Sequence, residues 1–241
     1  MATLVLVHGS WHDGPLWEPV AKHLRDRGHE VHTPTVAGHG NGVPKNVDHN
    51  DCTQSIVDAI TAADLHDVVL LGHSFGGTVI ARVAEEIPER LKRLIFWNAF
   101  VPAPGNSLND ELPPHYREMF AQTAAASDDN SVAMPFPLWR EAFIQDADAE
   151  LAASTHRELS TEPYQPFLDK LDLTRFYASD IPKSYINATE DTALPPGEWG
   201  WHPRMSGRLG LYRLVQLRGS HEVMFTAPDR LATAIEEAAR D

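Results

Sequence analysis

Apolar residues in this 241-residue chain fall into two alternating patterns. Runs of strand length occur at 3–8 (TLVLVH), 29–35 (HEVHTPT), 67–72 (DVVLLG), 93–99 (RLIFWNA), 183–188 (KSYINA) and 212–217 (YRLVQL). Their Val, Ile and Leu are continuous rather than placed at every second residue, the pattern of strands covered on both faces in a parallel sheet. Between the runs the apolar period changes to 3.6. Leu16, Trp17, Val20, Ala21 and Leu24 form one helical stripe closed by Gly28, and Ile56, Ala59 and Ile60 form a second. Val79, Ile80, Val83 and Ala84 form a third, which stops near Pro88. A last helix starts at Pro228, a residue suited to a first helical turn, and turns Leu231 and Ile235 inward. This βαβα rhythm predicts an α/β fold in one domain spanning 1–241: a mainly parallel sheet of about six strands, with helices on both faces.

The rhythm breaks between about residues 101 and 180. That span holds the proline turns PAPG, LPPH and MPFP and short helical pieces such as LWREAFIQDADAELAAS. An insertion between strands of an open sheet lies over their carboxyl ends, where ligands bind, so this segment is expected to form a small helical cap. Its Phe100, Tyr116, Met119, Phe120, Phe136, Trp139 and Phe143 are candidates for an apolar pocket.

Composition narrows the partners. A 42% hydrophobic, 22% charged chain of this length can bury one continuous core. The formal net charge is −14 and no Lys/Arg cluster occurs, which argues against nucleic acid or an anionic membrane as partner and favours a neutral small-molecule substrate. Cys52 is the single cysteine, so no intrachain disulfide can form. The apolar stretch at the N-terminus is too short for a signal-peptide core or a membrane span, and the expectation is a cytoplasmic protein. Oligomeric state has no readable signal.

The chemistry concentrates at Gly72-His73-Ser74-Phe75-Gly76, between the run DVVLL and the helix TVIARVAEE. A sharp strand-to-helix turn lifts a serine Oγ above the sheet and aims helix N-terminal N–H groups at developing negative charge. Ser74 is therefore the candidate nucleophile, and the backbone N–H of Phe75 a candidate oxyanion donor. The second donor is expected from the loop after the first strand, His8-Gly9-Ser10-Trp11, through the N–H of Ser10. A serine needs a base. With the order Ser, acid, His for a nucleophile on such a turn, His221 fits, since it follows the last strand in LRGSHEV; His202 is the runner-up. The acid should follow the preceding strand, where Glu190 and Asp191 stand side by side and cannot both face the histidine. No metal-ligand spacing or phosphate loop is present, so no metal or cofactor is expected.

These residues resemble the α/β-hydrolase superfamily, and within it a compact branch of plant methylesterases, hydroxynitrile lyases and related bacterial esterases. The resemblance rests on LVLVHGSWHDGPLW, GHSFGG, YINATEDTALP and GSHEVMFTAPDRLA. It implies the α/β-hydrolase fold, makes Asp191 the acid of a Ser-His-Asp triad and assigns the base to His221. The implied activity is a serine esterase cleaving a small neutral ester, lactone or thioester. Two alternatives carry less weight. One is a cyanohydrin lyase, in which a lysine follows the histidine; Glu222 stands there instead, and its negative charge would oppose a leaving cyanide. The other is a ligand receptor built on the hydrolase fold.

Overall fold

The computed structural model describes residues 1–240. Each of the six apolar runs forms a strand, and two further short strands appear within the long insertion: β1 (Thr3–Val7), β2 (Glu30–His32), β3 (Val68–His73), β4 (Leu91–Trp97), β5 (Ser131–Val132), β6 (Glu162–Pro163), β7 (Lys183–Ala188) and β8 (Arg213–Leu217). The main sheet runs β2-β1-β3-β4-β7-β8, with every pair parallel. Continuous apolar runs have the predicted consequence. Leu4 and Leu6 pack on one face of the sheet while Val5 and Val7 pack on the other, and all four are buried.

Helices α1 (Glu18–Asp26), α2 (His49–Ala62) and α3 (Gly76–Glu86) follow the first three strands, and α10 (Val223–Thr226) and α11 (Pro228–Ala239) follow the last. On one face Val20 and Leu24 of α1 and Leu231 and Ile235 of α11 join Leu4, Leu6, Val69, Leu71 and Ile95 in a single apolar cluster. On the other face Ile56 and Ile60 of α2 and Val79 and Val83 of α3 pack with Val5, Val7, Leu70, Leu94 and Phe96. Asp48 opens α2 with a capping box, its side chain accepting from Asp51 N–H while the Asp51 side chain accepts from its own.

Between β4 and β7 the chain forms α4 (Leu108–Glu111), α5 (Pro114–Ala126), α6 (Phe136–Leu138), a π-type turn at Trp139–Phe143, α7 (Ala149–Glu158), α8 (Gln165–Leu168) and α9 (Thr174–Ala178). The sequence pattern foretold a small helical cap of short helical pieces between proline turns. It also contains the small antiparallel pair β5–β6, in which Val132 faces Glu162. Two-residue strands carry too little pattern to be read from sequence. No helix among the described residues is long and apolar enough to cross a membrane.

Candidate active site

The turn from β3 into α3 is built by steric exclusion. A Cβ on Gly72 would stand 2.5 Å from the Gly76 carbonyl oxygen, and one on Gly76 would stand 2.7 Å from the His8 carbonyl oxygen, so no side chain fits at either position. Ser74 between them is held at φ +51°, in the left-handed region that non-glycine residues avoid. Backbone bonds hold it there: its N–H donates to Trp97 O (3.3 Å), and its carbonyl accepts from Gly77 N–H (3.1 Å) and Phe100 N–H (3.1 Å).

Ser74 lines a cavity together with Ser10, Trp11 and His221. No protein acceptor takes the N–H of Ser10 or of Phe75 among the described residues. The loop after β8 brings His221 to the same cavity, almost fully buried. Its Nδ1 lies 2.6 Å from Asp191 Oδ2. That carboxylate also accepts from Asn98 Nδ2 on the same oxygen and from Ala193 N–H on Oδ1 (2.8 Å). The neighbouring Glu190 points away into solvent and pairs with Arg218 (2.7 Å). His202, the other histidine weighed as base, is bonded to Ser206 (2.7 Å) and does not line the cavity. The structure thus gathers Ser10, Ser74, His221 and Asp191, with Phe75 next to Ser74, and leaves Glu190 and His202 outside. No direct hydrogen bond links Ser74 Oγ to His221 among the described residues.

Aromatic rings fix the imidazole. Trp201 stacks on it (centroids 5.2 Å, 15°), His73 lies against it (4.6 Å) and Phe143 meets it edge-on (5.3 Å, 89°). His73 in turn stacks on Trp97 at 3.9 Å. Burial, and then the nearby His221 and His12, hold the His73 pKa well below the ordinary imidazole range. It serves as a neutral wall under the site.

The cavity is apolar. Phe100, Tyr116, Phe120 and Phe143 line it as the sequence pattern suggested, whereas Trp139 is core, Phe136 is exposed and Met119 lies elsewhere. Trp11, Leu108, Leu112, Phe167, Ala193, Leu194 and Trp201 complete the lining and were not foreseen. Trp201 and Asn98 carry no local motif; only folding brings them to His221 and Asp191. Burial pushes the Tyr116 phenol up to about 12.

One expectation is corrected. Glu222 does not present a negative charge to the pocket, because it is buried away from it, 3.4 Å from His12 Nε2. Burial first, then the charges of Asp191 and Asp146, push its pKa well above the usual carboxylate range. Burial also brings His12 down to about 3. His12, His73 and Glu222 offer ligand atoms within 4.8 Å of one another and could hold a metal ion only once Glu222 loses its proton.

The model of the alpha/beta hydrolase family matches residues 4–234. Among solved structures, an extracellular α/β-hydrolase from a Paenibacillus species, described as sharing structural and functional homology with tobacco salicylic acid binding protein 2, superposes with a TM-score of 0.97; it is 42% identical, and the match covers 100% of both chains. A carbendazim hydrolyzing esterase from Nocardioides is 38% identical over 61% of this chain and 64% of its own length. A pyrethroid hydrolase from Sphingobium wenxiniae is 28% identical over 98% of this chain and 87% of its own. A family model spanning nearly the whole chain, over a six-stranded parallel sheet with a strained serine at the β3–α3 turn, places this protein in the alpha/beta hydrolase family.

Proposed function

We propose that this hydrolase cleaves a small, neutral, largely apolar carboxylic ester through an acyl-enzyme on Ser74. The observation that carries the reading is that Ser74, Ser10 and an Asp191-bound His221 line the same aromatic-rich cavity. Ser74 Oγ attacks the carbonyl carbon and gives its proton to His221 Nε2, while Asp191 holds Nδ1–H and favours the imidazolium. The N–H groups of Ser10 and Phe75 take the oxyanion, helped by the N-terminus of α3. Collapse expels the alcohol, which leaves with the proton from His221. Water then attacks the acyl carbon, giving a proton to the same nitrogen, and the Ser74–acyl bond breaks as His221 returns that proton to Ser74 Oγ and the acid leaves.

No Lys, Arg, Asp or Glu lines the cavity, which favours an uncharged substrate; a lactone or thioester suits the same groups. The relatives named for hydrolysing carbendazim and pyrethroids support ester-like cleavage. A cyanohydrin lyase would need a cation for the departing cyanide, and the lining offers none. The lone, buried Cys52 fits a reducing cytoplasm, and the extracellular Paenibacillus relative argues the other way. Recovery of the full chain from the medium of its native cell would decide for secretion.

The test is mass spectrometry of protein quenched during turnover of a nitrophenyl ester. An acyl adduct on Ser74 is expected, together with a loss of ~10³–10⁶-fold in kcat for Ser74→Ala. Cyanide release from cyanohydrins without any adduct, or a variant keeping more than a tenth of wild-type activity, would overturn the reading.

A further inference from the structure

The residue after Ser10 is tied to the insertion at every polar backbone and side-chain position. Trp11 N–H donates to Glu162 Oε2 (2.8 Å), its carbonyl accepts from Ser160 N–H (2.9 Å), and its indole Nε1–H donates to Val132 O (2.8 Å). All three partners lie in or beside the β5–β6 pair, more than a hundred residues away in sequence. Trp11 also sits at φ +64°, a conformation that a tryptophan holds only when its surroundings over-determine it.

Glu162 is fully buried, and the same Oε2 lies 2.9 Å from His39 Nε2. His39 Nδ1–H is committed to Ala37 O (3.0 Å), so one proton lies on the line between Nε2 and Oε2. Glu162 Oε1 has no partner. A buried carboxyl is costly unless it is paired and hydrogen-bonded, and here both bonds fall on the oxygen that grips the Trp11 peptide. Ring contacts brace the other side: His39 packs against His8 (4.9 Å), two residues before Ser10, and against Phe75 (5.6 Å), itself the other proposed donor.

We infer that Glu162 is a positioning residue of the oxyanion hole: it pins the Ser10–Trp11 peptide and so keeps the Ser10 N–H turned toward the carbonyl oxygen above Ser74. The insertion therefore does more than roof the cavity, because its small sheet completes the catalytic loop from outside. This rests on the Ser74 hydrolase reading, with Ser10 and Phe75 as oxyanion donors. An oxyanion donor matters in the transition state and little in the ground state, so disturbing its support should lower kcat and leave KM nearly unchanged.

The experiment compares Glu162→Leu, Glu162→Gln and Glu162→Asp on a nitrophenyl ester. It adds the inhibition constant of a trifluoromethyl ketone, whose adduct with Ser74 places an oxyanion in the hole. Glu162→Leu should lower kcat about 10–100-fold, part of the ~10²–10³ that loss of a donor costs, with KM within threefold and ketone affinity falling in parallel. Glu162→Gln keeps an oxygen for the Trp11 N–H and should stay within about threefold of wild type. If Glu162→Leu does not fold, Glu162→Asp carries the test, since it keeps the charge but withdraws it from Trp11 by one methylene. It should show the same kcat-only loss. Wild-type kcat and ketone affinity in a folded Leu or Asp variant would overturn the inference, as would a loss confined to KM. Absence of any Ser74 adduct in the wild-type protein would be recognisable as failure of the hydrolase reading itself, and it would overturn both.

Discussion

Two buried carboxyl–histidine pairs lie side by side in this molecule and behave in opposite ways. Asp191 and His221 are 2.6 Å apart, and the carboxylate also accepts from Asn98 and from the Ala193 N–H. Glu222 and His12, one residue along from His221 and two along from Ser10, are 3.4 Å apart, and Glu222 Oε2 and both His12 nitrogens lack any hydrogen-bond partner. Both pairs are almost fully removed from water. The difference lies in the donors. A carboxylate needs about two or three N–H groups to replace its hydration, and Asp191 has them. Glu222 has none, so burial raises its pKa well above the usual carboxylate range, and burial likewise brings the His12 pKa down to about 3. Burial alone does not distinguish the two pairs; the second layer of donors does.

The comparison breaks most visibly at its catalytic end. Asp191→Asn should reduce kcat/KM by ~10²–10⁴-fold, because the amide cannot stabilise the imidazolium and permits the wrong tautomer. Glu190→Gln, on an exposed partner of Arg218, should stay within about threefold. Side-by-side kinetics check this, and a larger effect at Glu190 would reverse the choice of acid. Asn98→Ala removes one donor from Asp191 and leaves the carboxyl in place. A loss of about tenfold in kcat is expected, from a charge-assisted bond of about 1.5–3 kcal/mol that also braces Ala188. Full activity in this variant would show that the donors around Asp191 are dispensable.

The other pair is sharpened by pH. A carboxyl whose folded pKa is raised loses nothing below its unfolded pKa and costs stability as pH climbs above it. Glu222→Gln should therefore raise Tm at pH 8, leave it unchanged near pH 4, and keep activity within about threefold. Equal Tm shifts at both pH values would mean that the carboxyl is ionised when folded. The buried histidines act with the opposite sign. His8, His12, His49 and His73 all have lowered pKa values, so each contributes stability above its ordinary pKa of 6.5 that is lost as pH falls toward its folded value, about 3 for His12 and His49. Within that window each adds a slope of ~1.4 kcal/mol per pH unit, and four of them outweigh Glu222. Urea midpoints should fall between pH 7 and pH 5, and His12→Asn should flatten the fall.

Much of the molecule was legible from local pattern. Six apolar runs became six parallel strands, of which the central β3 is buried throughout, while the edge strands β2 and β8 leave Glu30 and Gln216 exposed. The β3–α3 turn was legible because its geometry is enforced within five residues, where Gly72 and Gly76 leave no room for a side chain. His221 followed from chain order on this turn, and Asp191 from resemblance, its neighbour Glu190 being equally placed by spacing alone.

What tertiary structure alone decided is every relation between residues distant in sequence. Asn98 bonds Asp191 across 93 positions, Trp201 stacks on His221, and Glu162 grips Trp11 across 151. The charge state of Glu222 belongs here too. From sequence it read as a negative charge beside the base, yet a carboxyl's ionisation is set by the water and donors around it. Periodicity encodes which face of an element is buried; it does not encode which distant atoms will meet there.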